Sequence, residues 1–90
     1  MVTLPNYKNM PTIHMIDSIK IDIYSREHLP PHFHVLYAGQ EILLVIKTLS
    51  TYIGSIPLKQ HRIVMEWAKE PGVKAFLMDN FLRLNPSLRR

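Results

Sequence analysis

The chain has 90 residues, 47% of them hydrophobic, with no cysteine and a formal net charge of +4. That length holds one hydrophobic core and excludes a second, because domains commonly run ~100–150 residues, and it suffices for folding without a disulfide or a structural metal. The missing cysteine removes disulfide frameworks, thiol nucleophiles and thiolate zinc sites. The longest strongly apolar run, Ile42 to Ile46, falls far short of the ~20 residues that span a bilayer, so no membrane role is expected and the chain reads as cytoplasmic.

The excess charge is uneven. Residues 69–90 carry Lys69, Lys74, Arg83, Arg89 and Arg90 against Glu70 and Asp79, whereas residues 1–68 hold six bases and five acids. The basic character therefore belongs to the C-terminal end, where Arg83, Arg89 and Arg90 are the candidate phosphate contacts and a solvated basic end is the plainer reading.

Met1 to Asn9 has no strand or helix period and contains Pro5, which predicts a flexible leader, with a single domain over residues 10–85 and a basic tail over residues 86–90. Thr12–Ile16 and Ile19–Tyr24 flank Asp17-Ser18 and predict a hairpin; in the second arm Ile19, Ile21 and Ile23 alternate with Lys20, Asp22 and Tyr24. Ser25 to Pro31 is a loop, because neither Pro30 nor Pro31 can donate to a ladder. A third strand is expected over His32–Tyr37, with Phe33, Val35 and Tyr37 on one face and His32, His34 and Leu36 on the other. After the Ala38-Gly39-Gln40 turn, Glu41–Leu49 is apolar on both faces as far as Ile46, the pattern of the most buried strand. Thr51–Ile56 supplies a further short piece.

Pro57 suits the first position of a helix whose packing stripe is Ile63, Val64 and Trp67 and which Pro71-Gly72 ends. A second helix over Val73–Leu84 presents Val73, Phe76, Leu77, Phe81 and Leu84 on one face, with Asn80 off it, and stops at Asn85-Pro86. Strands first and helices last predict an α+β domain: a small, mostly antiparallel sheet of three to five strands covered on one face by two C-terminal helices.

One cluster carries chemistry. His28, His32 and His34 fall within seven residues around Pro30-Pro31. Residues two apart on a strand share a face with Cα atoms roughly 6.6 Å apart, so His32 and His34 can aim both imidazoles at one point. Such a pair can chelate zinc or another borderline divalent metal, with His28 folding back as a third ligand and Glu27 or Glu41 as an oxygen ligand or tautomer-fixing acceptor. The structural reading is a rigid Pro-Pro corner whose histidines bond to backbone or water on the open face of the sheet. Nucleophilic and phosphate-loop chemistry lack their motifs: no serine sits in a Gly-x-Ser-x-Gly elbow, and Gly39, Gly54 and Gly72 are too scattered for a phosphate loop. His14 is expected opposite Ile21, and His61 on a solvated helix face.

Met10-Pro11-Thr12-Ile13, Ile16-Asp17, Ile19, His28-Leu29-Pro30-Pro31-His32-Phe33-His34-Val35, Gly54-Ser55-Ile56-Pro57, Val64-Met65-Glu66-Trp67-Ala68 and Asn80-Phe81 resemble, in order, the small prokaryotic family known as domain of unknown function number 4160. The resemblance runs from about Met10 to Leu84, and departs at Ser18 and Phe81, where the family usually has glycine and tryptophan. It implies no activity. It implies a gene often beside another small uncharacterised one, hence a non-enzymatic protein-interaction or regulatory module with an adjacent gene product as partner, and at its furthest one component of a toxin–antitoxin pair. The family starts at the equivalent of Met10, which makes residues 1–9 an extension or a misassigned start. The alternative is a metal-binding or histidine-assisted enzyme acting on nucleic acid through His28, His32 and His34.

Overall fold

The computed structural model describes residues 11–88. The expected leader over residues 1–9, and Arg89 and Arg90, lie outside them. Strands β1 (Thr12–Ile16), β2 (Ile19–Asp22), β3 (His32–Tyr37), β4 (Gln40–Val45) and β5 (Thr51–Gly54) form one antiparallel sheet in chain order, followed by helices α1 (Leu58–Ala68) and α2 (Val73–Leu84) and a 3₁₀ turn, Pro86–Leu88. This is the expected α+β arrangement.

Alternation along the strands divides the sheet into two unlike faces. Ile19, Ile21 and Ile23, Phe33 and Val35, and Ile42, Leu44 and Ile46 are buried with Val64 and Ala68 of α1 and Leu77 and Phe81 of α2. Each such side chain contributes ~1.5–3 kcal/mol on leaving water, which ties both helices to that face. Asp22, His32, His34, Glu41 and Leu43 belong to the other face, by their cross-strand pairing and by alternation.

Several boundaries differ from expectation. The fourth strand ends at Val45 rather than Leu49: Leu49 N–H returns to Val45 O at 2.7 Å, and Leu49 takes φ 62 in the turn to β5. Ile46 and Leu49 are buried all the same, so the apolar run reflected a buried turn, and β4 alternates buried Ile42 and Leu44 with half-buried Leu43 and Val45. Pro57 caps α1 with ψ 145 instead of occupying its first turn. On α2 the stripe is rotated by one position. Phe76 is 41% exposed and Asn80 only 7%, because Val73, Leu77, Phe81 and Leu84 set the packed line and Asn80 lies beside it. Burial of Asn80 is tolerated because its amide donates to Phe76 O at 2.9 Å and its carbonyl accepts from Arg83.

The β3–β4 hairpin has a two-residue loop, Ala38-Gly39, between the paired Tyr37 and Gln40, and both loop residues have positive φ, 49 and 80. Positive φ at both positions matches strand twist but is unfavourable for alanine, by roughly 1–2 kcal/mol. Ala38→Asn is therefore expected to stabilise the protein by about 1 kcal/mol, seen as a higher urea midpoint with unchanged slope; a lower midpoint would contradict the turn assignment.

Candidate functional site

His32 and His34 project from the open face of β3, which is hydrogen-bonded on both sides, and the β2–β3 loop carries Glu27 over them. His32 Nδ1–H donates to Pro30 O at 2.8 Å. A carbonyl only accepts, so that bond places the proton on Nδ1 and leaves Nε2 with its lone pair when the ring is neutral. His32 Nε2 lies 3.2 Å from Glu27 Oε1, close enough for an ion pair but outside hydrogen-bond geometry, so this fully buried nitrogen has no hydrogen-bond partner. His34 places Nδ1 2.7 Å from Glu41 Oε2 and Nε2 2.7 Å from Glu27 Oε2. Both of its nitrogens thus face carboxylate oxygens.

One donor atom each from Glu27, His32 and His34 lies within 4.8 Å of the others. Ligands around a tetrahedral ion with bonds of ~2.0–2.1 Å stand roughly 3.3 Å apart, so small side-chain rotations close the set. The third member is Glu27, and the place expected for His28 is not filled by it. His28 is exposed, with Nδ1 at 3.2 Å from Leu29 O, and its ring packs beside His32 at 5.3 Å between centroids. Pro30 and Pro31 do form the corner that feeds β3: Pro30 O fixes the His32 ring, and Pro31 O accepts from Ile46 N–H at 3.0 Å. The histidines are also less open than the structural reading expected. The His32 side chain is 0% and the His34 side chain 13% exposed, since Phe81 and Tyr52 rings stand 5.8 and 5.7 Å from His32.

Two supports come from residues that sequence reasoning passed over. Asn85, read as a helix stop, is buried and accepts from Glu27 N–H at 2.7 Å while donating to Tyr24 O at 3.0 Å and Phe81 O at 2.9 Å. It pins both ends of the loop segment that holds Glu27. Asp22 is buried opposite His34 and accepts from Thr12 Oγ1 at 2.8 Å and Tyr24 Oη at 3.3 Å. Tyr24 in turn sets its ring edge-on to His34 at 4.6 Å. Burial, then Asp22 through its charge and hydrogen bond, then Glu41 and Glu27, push the Tyr24 phenol up to about 12.

The family model for a domain of unknown function (DUF4160) matches residues 18–81, which include Glu27, His32, His34 and Glu41. The chain belongs to the DUF4160 family. No curated protein matches it, and no solved structure does. Among the described residues no helix is long and apolar enough to cross a membrane.

Of the remaining candidates in this DUF4160 chain, Arg83 is exposed and bound to Asn80 on α2, and no contact brings it to the histidines. His14 pairs with Ile21 as expected and stacks on Trp67 at 4.7 Å, as a packing residue. His61 is half-buried near the start of α1.

Removing the Asn85 side chain in Asn85→Ala orphans the Glu27 N–H and the Tyr24 carbonyl, while Phe81 O keeps the backbone N–H of residue 85, and the expected cost is about 2–3 kcal/mol in a denaturant titration. A loss below ~0.5 kcal/mol would show that Asn85 does not hold the loop. The Tyr24 shift has a signed consequence. Its folded value lies above the ordinary 10.0, so the associated stability is fully present below pH 10 and fades as pH rises toward about 12. Spectrophotometric titration is expected to show one late-ionising tyrosine that moves down, though not fully to 10.0, in Asp22→Asn, because burial remains the larger cause.

Proposed function

We propose that this DUF4160 chain is a divalent-metal protein whose ligands are Glu27, His32 and His34. The observation that carries the reading is the pair of Nδ1 anchors: Pro30 O and Glu41 Oε2 engage the outer nitrogens, so both Nε2 atoms turn inward onto one carboxylate, and that of His32 is buried without a hydrogen bond. Metal-bound histidines typically give their second nitrogen to a carbonyl or a carboxylate, and here one does each. Two imidazoles and a carboxylate suit zinc and the neighbouring borderline ions.

Three protein donors leave a coordination position open, the feature that separates catalytic from structural zinc sites. A bound ion of this kind brings a water toward ionisation near neutral pH, so metal-assisted hydrolysis is the reaction class the site suits. Asp22, Glu27 and Glu41 surround the centre, and a phosphate meets a favourable field there only with the ion in place. Action on nucleic acid therefore depends on the ion. The other reading, an interaction module with a protein partner or a toxin–antitoxin role, draws on a separate feature, the exposed edge strand β5.

Calorimetric titration of the metal-stripped protein with zinc, nickel and manganese tests the centre. About one equivalent of the preferred ion is expected to bind, with binding lost in His32→Ala/His34→Ala and in Glu27→Gln, retained in His28→Ala, and weakened ~10–100-fold in Glu41→Gln. Equal binding by the double histidine variant, with circular dichroism confirming its fold, would remove the proposal.

A further inference from the structure

Strand β5 ends the sheet, so its outer N–H and C=O groups have no strand partner among the described residues, and all four of its residues are exposed. Natural edges are blunted by shortness, a bulge, a lysine, a proline or an inward charge. Thr51–Gly54 is short and has a register shift at Tyr52, but it carries no lysine, proline or charge, and no Asp, Glu, Lys or Arg occurs from Thr48 to Leu58. The one irregularity is the register shift opposite Leu43 and Leu44, which coincides with Tyr52 turning toward the His28 and His32 rings and adds no charge to the edge. Three of the six large exposed hydrophobics fall in this stretch: Tyr52 at 39%, Ile53 at 59% and Leu58 at 70%.

We propose that β5 is a self-association edge, at which a second copy of this chain pairs its own β5 antiparallel about a two-fold axis and joins the two sheets. Antiparallel strand pairing is its own two-fold operation, so one edge satisfies the other without any further matching, as an isologous interface requires. Charge selects the occupant. Each copy carries +4, and like chains approach with least repulsion where the surface is uncharged, as it is from Thr48 to Leu58. A foreign partner chosen by opposite charge would find nothing on this stretch to select it. A strand of four residues that exposes Tyr52 and Ile53, with Leu58 nearby in the chain, makes a small contact, so the dimer is weak and forms by mass action. Because Tyr52 also covers His32, the dimer edge runs alongside the histidine cluster.

Sedimentation equilibrium of the whole chain, from ~10 μM to ~1 mM, tests this. The apparent mass is expected to rise from 10.5 kDa toward twice that value. Ile53→Lys and, separately, Thr51→Lys place like charges across the axis and are expected to weaken association at least ~10-fold. Both positions are exposed, so the fold is retained, as circular dichroism checks. Met15→Lys, on the opposite edge strand, is expected to leave association unchanged. Amide exchange in Thr51–Gly54 is expected to slow with concentration in the parent chain and in Met15→Lys, but not in the two β5 variants. A mass fixed at 10.5 kDa throughout, or a dimer that Met15→Lys disrupts and the β5 variants do not, overturns the proposal.

Discussion

Everything at the site depends on the two-residue period of β3. Phe33 and Val35 are fully buried under the helices, and the same alternation sends His32 and His34 to the other side. A slip of one residue would expose Phe33 and drive both imidazoles into the apolar core, so the burial that stabilises the fold also fixes which way the histidines face. Position within the sheet adds rigidity. As the third of five strands, β3 is held by a ladder on each side, with His34 paired to Asp22 on one neighbour and Leu43 on the other. Side chains on such a strand are placed more accurately than any on a loop.

Glu27 has no such support from its own element, since it lies on the loop between β2 and β3. Its position is inherited from the core through α2. Leu77 and Phe81 anchor that helix in the apolar layer, and its C-terminal cap, Asn85, reaches the loop and bonds the backbone at Tyr24 and Glu27. Phe81 also stands against the His32 ring. Apolar burial on one face of the sheet is thus relayed around its end to a carboxylate on the other face.

The elements with a clear period were legible in the sequence: the β1–β2 hairpin about Asp17-Ser18, the alternation in β2 and β3, and the limits of the second helix all follow from local pattern. Two kinds of information were not local. Apolar content told that Ile46 and Leu49 are buried but not that they sit in a turn, because a turn packed under helices has the same composition as a strand. On α2, the rotation that buries Asn80 and exposes Phe76 is set by which neighbours the helix meets. At the site, the spacing of His32 and His34 was sufficient to join them. Choosing Glu27 over His28 was beyond it, since both lie on one irregular loop and the choice is made by Asn85, nearly sixty residues away in the chain. The Asn-Pro pair at Asn85-Pro86 reads equally well as a simple helix stop, and no signal in it points to the loop.

The carboxylates of Asp22, buried, and Glu27, partly buried, are satisfied in different ways, and the difference bears on what the proposed centre holds. Asp22 accepts from two hydroxyls, Thr12 and Tyr24, which meet its lone pairs without any neighbouring cation. The Glu27 carboxylate contacts only imidazole nitrogens. His34 Nε2 meets Oε2 at 2.7 Å, but the His32 ring already commits its Nδ1–H to Pro30 O, so Oε1 and the His32 Nε2 lone pair of a neutral ring oppose each other at 3.2 Å. In the proposed centre a single divalent ion would take both Nε2 lone pairs and offset the Glu27 charge, leaving each Nδ1 with the oxygen it already faces, Pro30 O for His32 and Glu41 Oε2 for His34.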